Sequence, residues 1–322
     1  MHYRELGRTR ISVSEIGYGA WGIGGTGWIG AQDDESKRAL NRAIDLGLTF
    51  IDTAWEYGDG HSERVIGEVL RGRDEQVYVA TKVPPKNRMW PARHDSHADE
   101  AFPGGYIREY TEESLRNLGV ETLDIQQFHV WSSTWLEQGD WLDEVRRLKQ
   151  DGKIRFFGVS INDHEPASAV PLVRSGAVDT VQVIYNVFDQ SPEDELLPAC
   201  VEQGVGVIVR VPLDEGGLTG RITPETTFPE GDWRHRYFRG DRKREVAERA
   251  RAIVDDLGEP IERLPEIALR YVLSHPAVST VIPGMRSVRN VERNMAIADG
   301  RGLPDETVAA LRKHRWVRNF YS

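Results

Sequence analysis

The sequence predicts a (β/α)8 barrel that forms a single domain over residues 1–322. Short apolar runs alternate with helical patterns along the whole chain, and eight such strand–helix units can be counted from "EIGYG" at 15–19 onward. The strand-like runs are continuously apolar, as expected of parallel strands covered on both faces. No low-complexity linker divides the chain. A doubly wound parallel sheet is the alternative architecture that this alternation permits.

The elements follow one another in a regular order. Residues 4–17 predict a small N-terminal hairpin that leads into the first barrel strand. The next seven strands are predicted at 48–52, 76–82, 123–129, 154–160, 179–186, 205–212 and 278–284. Helical spacing predicts helices at 35–47, 62–72, 111–119, 134–152, 164–176, 195–204, 242–258, 264–275 and 287–299. An extra C-terminal helix is predicted at 305–317.

Polar residues and glycines mark several helix boundaries. Ser62 is predicted to cap the second helix, and Thr111 to open a capping box at the start of the third. Gly47, Gly72 and Gly119 are typical of helix C-termini, where glycine adopts the left-handed conformation at low cost.

Two long irregular segments, 83–110 and 212–241, interrupt the alternation. Both follow strands, so in a barrel both are expected to lie over the mouth of the active site. The stretch "GYGAWG" at 17–22 matches the G-x-G-x-x-G dinucleotide fingerprint, but it continues into more glycine instead of a helix. We therefore interpret it as a flexible glycine-rich loop over the barrel mouth.

Composition excludes several classes of protein. The chain has 41 Lys and Arg against 51 Asp and Glu, a net charge of −10, which argues against a nucleic-acid partner. Its one cysteine, Cys200, cannot form a disulfide within the chain, which fits a reducing compartment. No signal peptide and no apolar run of membrane-spanning length is evident. We expect a cytoplasmic globular protein without a membrane or nucleic-acid partner.

Polar residues end consecutive strands of the predicted barrel. Asp52 ends the second strand and is followed closely by Tyr57, while Lys82 ends the third strand and His129 the fourth. Because all strand C-termini of a parallel barrel face one side, we expect these four side chains to lie together.

This set predicts acid–base chemistry on a carbonyl group. An ammonium, kept charged by a carboxylate, is expected to lower the pKa of a neighbouring phenol from about 10, and an imidazole can hydrogen-bond a substrate oxygen. Protonating a carbonyl oxygen is useful when hydride arrives at its carbon, which requires a nicotinamide cofactor. An aldolase or isomerase that uses Lys82 as a Schiff-base nucleophile is an alternative, although it leaves Tyr57 without a role.

Motifs spread over nearly the whole chain resemble the aldo-keto reductase superfamily, in particular its bacterial NADP-dependent members. They are "FIDTAWEYG", "VATK", "LDIQQFHVW", "GVSIN", "VQVIYN", "PLDEGGLTG" and "VIPGMRSVRNVERN". The resemblance implies a (β/α)8 barrel and NADP(H)-dependent reduction of an aldehyde or ketone, or oxidation of the matching alcohol or sugar. Because some relatives, the potassium-channel beta subunits, mainly serve a partner, an NADP(H)-binding regulatory subunit with little turnover is a further alternative.

The resemblance also implies a role for individual residues. Tyr57 is expected to be the general acid/base, tuned by Lys82 and Asp52, with His129 orienting the carbonyl. Residues expected to bind the cofactor are Gly19, Trp21, Asp52, Ser160, Asn162, Gln182, Arg210, Pro212, Leu213, Gly216, Leu218, Gly284, Arg286, Asn290 and Asn294. Within this set the nicotinamide carboxamide is assigned to Ser160, Asn162 and Gln182, and the pyrophosphate to the loop carrying Leu213, Gly216 and Leu218.

Two positions depart from the family pattern. Arg210 stands where the family often has an aromatic residue stacked on the nicotinamide, and Asn290 stands where a glutamine is common. Nearby, Arg286, Arg289 and Arg293 form a basic segment that favours the 2′-phosphate of NADP, since guanidinium matches phosphate geometry. A solvated helix face with ordinary ion pairs is the other interpretation of this segment.

The expected substrate pocket is aromatic. It is predicted to contain Trp28, Trp55, Tyr57, Trp90, His129 and Trp131. Such a pocket suits a small carbonyl compound or a sugar. His94, Asp95 and His97 are too few for a metal site, so none is expected. The sequence allows either a monomer or a homo-oligomer.

Overall fold

A computed structural model describes residues 1–321 as a two-stranded hairpin followed by an eight-stranded parallel barrel surrounded by helices. The strands are β1 Tyr3–Glu5, β2 Ser12–Ser14, β3 Tyr18–Gly19, β4 Phe50–Asp52, β5 Tyr78–Val83, β6 Leu123–Phe128, β7 Ile154–Ser160, β8 Thr180–Ile184, β9 Gly206–Arg210 and β10 Val278–Val281. β1 pairs with β2, and β3 to β10 follow one another around the barrel in chain order. The predicted fold class is confirmed.

The barrel closes between its first and last strands. Isolated parallel bridges join Ile16 to Val281 and Gly19 to Gly284. A Cβ atom on Gly19 would lie 2.5 Å from the carbonyl oxygen of Ile282, so only glycine permits this approach of the two backbones.

The helices cover the outside of the barrel. They are α1 Asp33–Asp45, α2 His61–Leu70, α3 Ala98–Ala101, α4 Gly104–Leu118, α5 Trp141–Gln150, α6 Val170–Ser175, α7 Leu196–Gln203, α8 Arg234–Tyr237, α9 Arg242–Leu257, α10 Leu264–Leu273, α11 Val288–Met295 and α12 Asp305–Arg312. In α1 the apolar residues recur at helical spacing, so that Ala39, Leu40, Ala43 and Ile44 are all buried on one face. None of the helices within residues 1–321 is long and apolar enough to cross a membrane.

Two predicted helix starts are wrong. α4 begins at Gly104, so Thr111 lies inside the helix and its hydroxyl donates to the carbonyl of Ile107. Ser62 lies within the first turn of α2, where its buried hydroxyl donates to the carbonyl of Ala20 instead of capping the helix.

The predicted helix at 134–152 is also divided in two. A 3-10 turn covers Ser133–Glu137 and α5 starts only at Trp141. Gly139, whose φ is 69°, separates the two pieces because this left-handed conformation ends a regular helix.

The β1–β2 hairpin closes the barrel at the N-terminal ends of its strands. Leu6, Ile11 and Val13 pack in one buried cluster with Phe50 and other residues that point into the barrel. The amide of Arg8 donates to the carbonyl of Gly204, just before β9 begins, which fixes the hairpin at the N-terminal ends of the strands. The opposite, C-terminal ends are therefore the open end of the barrel.

Candidate active site

A cavity of about 900 Å³ lies at the C-terminal ends of the barrel strands. This volume is in the range of small-molecule and cofactor sites. Residues from the ends of β3, β4, β7, β8 and β9 line it, together with the loop around residues 20–28 and the segment 210–234. Trp90 and Pro91 also line it, so the predicted glycine-rich loop and both long irregular segments contribute to the barrel mouth, as expected.

A buried ion pair forms the floor of the cavity. The Nζ atom of Lys82 donates to Asp52 Oδ2 at 2.7 Å and to the carbonyl of Thr53 at 2.7 Å. The same Nζ lies 3.4 Å from the hydroxyl oxygen of Tyr57. β4 and β5 are neighbours in the sheet, so the two charged side chains meet at the same edge. Burial lowers the pKa of Lys82, and the Asp52 carboxylate opposes this shift.

The second oxygen of Asp52 is held from the other side of the barrel. Asp52 Oδ1 accepts hydrogen bonds from Gln182 Nε2 at 2.6 Å and from Gln127 Nε2 at 3.3 Å. Charge-assisted hydrogen bonds of this kind fix the carboxylate in one orientation. The aspartate is thereby aimed at the lysine.

The Tyr57 phenol lies beside this pair, with its ring stacked on Trp21 at a centroid distance of 6.2 Å. Behind it, a Cβ atom on Gly24 would lie 2.8 Å from the Tyr57 carbonyl carbon, so the two turns are in close contact. Burial, followed by the Asp52 carboxylate, raises the pKa of Tyr57 well above its usual value, while Arg210 opposes the shift. This direction is the reverse of the lowering predicted from the sequence, because loss of water outweighs the nearby cations.

His129 completes the set at the end of β6. Its ring centre is 5.7 Å from that of Tyr57. Burial lowers the pKa of His129 well below its usual value, and the charges of Lys82 and Arg210 lower it further. The imidazole is therefore neutral near pH 7, and its Nδ1 has no hydrogen-bond partner within residues 1–321. The four residues predicted to be catalytic do lie together.

Ser160 and Gln182 stand opposite each other on neighbouring strands and both line the cavity. The Ser160 hydroxyl and the Gln182 amide oxygen make no hydrogen bond within the part of the chain that the structure describes, so a donor and an acceptor are left for a ligand.

Asn162, predicted to hold the nicotinamide carboxamide, already uses both of its amide donors within the protein. Its Nδ2 donates to the carbonyl of Ala92 at 3.1 Å and to Glu165 Oε2 at 3.1 Å, which uses both of its N–H groups. Its Oδ1 accepts from the Ala92 amide at 3.0 Å. Although Asn162 borders the cavity, it has no donor left for a carboxamide oxygen.

The loop after β9 lies along one side of the cavity. Pro212, Leu213 and Gly216 line it, and Gly216, at a φ of 105°, has open space where a Cβ atom would stand. This conformation lets a ligand approach the backbone closely. Leu218, predicted to take part, is fully buried beneath the loop and does not line the cavity.

The cavity ends at α11, whose start is capped by the Ser287 side chain. Gly284, Arg286, Asn290, Arg293 and Asn294 line this end. Arg286 Nη1 donates to the carbonyl of Ile29 at 2.9 Å, which holds its guanidinium in place. Arg289 is exposed and lies outside the lining.

The predicted aromatic pocket is only partly present. Trp28 and Trp90 line the cavity, and the Trp90 ring meets that of His129 edge-on at 4.5 Å. Trp55 faces away, since its Nε1 donates to Glu113 at 2.6 Å. Trp131 is fully buried and packs among other tryptophans in the core. The predictions for Trp55 and Trp131 are therefore wrong.

Three lining aromatic residues, Phe228, Trp233 and Tyr321, were missed by sequence reasoning. Trp233 lies 6.1 Å from Trp21 between ring centres, and Tyr321 lies 5.5 Å from Trp233. Tyr321 also donates its hydroxyl to Glu215 at 2.7 Å. The segment "DWRHRYFRGDR" at 232–242, rich in aromatic residues, carried a signal for Trp233, whereas nothing near Tyr321 indicated a site.

Arg210 was predicted, but its partners were not. Its Nη2 donates to the carbonyl of Ile161 at 2.9 Å and to Asp163 Oδ1 at 2.7 Å. The guanidinium is thus fixed at the wall of the cavity. The nearest charge partner, Asp163, also lines the cavity.

A parallel barrel whose strand ends hold a phenol, a neutral imidazole and a buried ammonium around one cavity fits the class of oxidoreductases that act through general acid catalysis. Residues 15–315 match the family model described as Aldo/keto reductase family, and the chain belongs to this family.

Relatives and solved structures agree with this assignment. The chain is 29% identical over 302 residues to the NADH-specific methylglyoxal reductase of Escherichia coli, covering 90% of this chain and 91% of that one. The holo form of aldo-keto reductase AKR11C1 from Bacillus halodurans superposes with a TM-score of 0.76 at 26% identity and covers all of both chains. An aldo/keto reductase from Klebsiella pneumoniae in complex with NADP and acetate gives 0.69 at 26% identity, covering 99% of this chain and 98% of that one.

Proposed function

We propose that this protein is an NADP(H)-dependent oxidoreductase that reduces an aldehyde or ketone, or oxidises the matching alcohol or sugar, with Tyr57 as general acid/base. The observation that carries the proposal is the position of the Tyr57 hydroxyl, 3.4 Å from Lys82 Nζ and facing the same cavity as His129. NADP(H) supplies or accepts the hydride at the substrate carbon.

Each residue has a defined part in the proton transfer. The raised pKa of Tyr57 keeps its phenol protonated at neutral pH, so it can donate a proton to a carbonyl oxygen. Lys82 then stabilises the phenolate, and Asp52 keeps Lys82 charged in a buried position. Neutral His129 hydrogen-bonds the same oxygen and holds it near the phenol. In the oxidation the proton moves in the opposite direction.

Cavity residues fit the cofactor at both ends. Ser160 and Gln182 offer an unused donor and acceptor for a carboxamide, and the open backbone at Gly216 suits a pyrophosphate. Arg286 and Arg293 face the cavity beside the start of α11, where backbone N–H groups also favour a phosphate. The relatives differ in their cofactor, because one solved structure is a complex with NADP and one similar protein is described as NADH-specific. We therefore base the choice of NADP(H) for this chain on the arginine pair.

The Schiff-base alternative receives no support from the site. Lys82 is fully buried and does not line the cavity, and its Nζ atom contacts Asp52, Thr53 and Tyr57.

The test is NADPH binding, followed by quenching of tryptophan fluorescence, and then NADPH consumption with a panel of aldehydes, ketones and sugars. We expect quenching, turnover of at least one carbonyl, and loss of turnover alone in Tyr57→Phe. Tyr110→Phe is the matched control, because this phenol lies outside the cavity lining. Binding without turnover in either direction contradicts the proposal and favours a regulatory subunit. Absence of binding removes the assignment of NADP(H).

A further inference from the structure

We propose that Asn162 is a positioning residue for the substrate side of the site, fixing the backbone of residues 89–92, which carries Trp90 beside His129. We call residues 89–92 the Trp90 lip. The inference rests on the proposed function, and it replaces the cofactor role that the family resemblance implies for Asn162.

The side-chain amide of Asn162 pairs with the backbone of Ala92 through two hydrogen bonds. The side-chain amide of Asn162 both accepts from the Ala92 N–H, at 3.0 Å, and donates to the Ala92 carbonyl, at 3.1 Å. Asn162 and Ala92 are each 4% exposed, so water does not compete well for these bonds. Two hydrogen bonds to one residue fix both its position and its orientation.

Little else attaches the lip to the barrel. Within residues 1–321 the two bonds from Asn162 are the only hydrogen bonds between the backbone of residues 89–92 and a different segment, since the Met89 amide donates to the nearby Asn87. The next attachments along the loop are at His94, whose carbonyl accepts from Thr134 Oγ1 at 3.3 Å, and at Ser96, whose carbonyl accepts from Trp135 Nε1 at 2.9 Å.

The Trp90 ring itself is not held by burial. It is 43% exposed, yet it meets the His129 ring edge-on at 4.5 Å and lines the cavity. Since His129 is proposed to hold the carbonyl oxygen, a substituent on that carbonyl contacts Trp90. Asn162, which follows β7, therefore fixes the position of Trp90 in the wall of the cavity that faces the substrate.

If Asn162 positions Trp90, its loss should impair use of the carbonyl substrate but leave NADPH binding nearly unchanged. Asn162→Ala removes both bonds, and we expect kcat/KM for the carbonyl substrate to fall about tenfold or more, because a misplaced wall costs orientation. The dissociation constant for NADPH is expected to change by less than about twofold. Ser160→Ala is the matched comparison and should raise the NADPH dissociation constant instead.

A double-mutant cycle tests the route through Trp90. Trp90→Ala should reproduce the loss caused by Asn162→Ala, and the double variant should be hardly worse than either single variant. If the losses of kcat/KM in the two single variants were fully additive in the double variant, Asn162 would not act through Trp90.

A readout independent of turnover separates this inference from the proposed function. Arg88 and Arg93 flank the lip, so trypsin should cut there faster in Asn162→Ala than in the wild type, identified by fragment mass. Asn162→Asp serves as a second variant of nearly equal volume, because its carboxylate faces the Ala92 carbonyl and Glu165 without a donor. Glu165→Gln is the control that keeps the lip attached.

Two results would overturn the inference. One is a rise in the NADPH dissociation constant of Asn162→Ala equal to that of Ser160→Ala, with cleavage at the lip unchanged. The other is wild-type cleavage and wild-type kcat/KM in both Asn162 variants. If the wild type consumes no carbonyl at all, the proposed function fails, while faster cleavage would still establish that Asn162 holds the lip.

Discussion

The Nζ atom of Lys82 lies 3.4 Å from the hydroxyl oxygen of Tyr57, and it also donates to Asp52 Oδ2 and to the carbonyl of Thr53, while Lys82 itself does not line the cavity. This placement lets the ammonium act on the phenol without touching the substrate. The distance is longer than that of a strong hydrogen bond, so the attraction will grow when the phenol loses its proton.

Lys82→Met should therefore lower kcat for carbonyl reduction by a factor of about 10²–10⁴, while NADPH still binds. Steady-state kinetics at saturating NADPH measures the change. The variant also leaves Asp52 buried without its partner, which costs about 3–5 kcal/mol of stability. Asp52→Asn combined with Lys82→Met should recover stability but not kcat. Lys86→Met, on the exposed loop, is the control, and an equal loss of kcat there would contradict the role of Lys82.

Gly24→Ala should misplace Tyr57. The new Cβ would stand 2.8 Å from the Tyr57 carbonyl carbon, although Gly24 itself has an ordinary φ of −72°. We expect kcat to fall by about tenfold or more, since the turn carrying the phenol must shift. Gly22→Ala, where the nearest atom is 3.7 Å away, should keep the wild-type kcat. The same kinetic effect in both variants would show that the contact with Tyr57 is not the cause.

Arg286→Ala should raise the dissociation constant for NADPH by about 10–100-fold and that for NADH much less, because a charge-assisted bond to the 2′-phosphate is lost. Fluorescence titration with each cofactor measures the ratio. Arg289→Ala is the matched control, since Arg289 lies three residues further on but outside the cavity. Equal effects on both cofactors would remove the preference for NADP(H).

The buried Glu215 should make stability depend on pH. Burial raises the pKa of Glu215 to about 7, so the folded state holds a proton that the unfolded chain releases near its usual, lower pKa. The stabilising contribution is full below that lower value and is lost as pH rises towards 7. The slope is at most about 1.4 kcal/mol per pH unit.

Urea unfolding of the wild type and of Glu215→Gln between pH 5 and pH 8 (values chosen to bracket about 7) measures this dependence. The wild type should lose stability relative to Glu215→Gln as pH rises through this window. Glu230→Gln, at an exposed site, should follow the wild type. Parallel curves for all three proteins would contradict the assignment of the titration to Glu215.

Strand ends were the predictable part of the site. Asp52, Lys82 and His129 each end an apolar strand, and parallel register brings successive strand ends to one edge whatever the loops do. The apolar runs and the helical spacing therefore sufficed for the barrel and for these three side chains, whereas the cofactor-binding residues were predicted from the family resemblance.

Side-chain direction in loops was not predictable. Trp55 and Trp131 follow strand ends as closely as Tyr57 does, yet one turns to Glu113 and the other enters the core. Asn162 stands within a motif that suggested a ligand, but its amide is used by a loop about seventy residues away in the chain. Such choices depend on packing between distant segments, which local sequence does not encode.

The junction between β3 and β10 links folding to ligand binding. Gly19 and Gly284 bridge the first and last strands, and both also line the cavity. Two isolated bridges join the strands at this seam, so the cylinder can open here with little loss of strand pairing. A ligand that contacts both glycines spans the seam, and its binding energy then resists the opening of the whole cylinder as well as its own release.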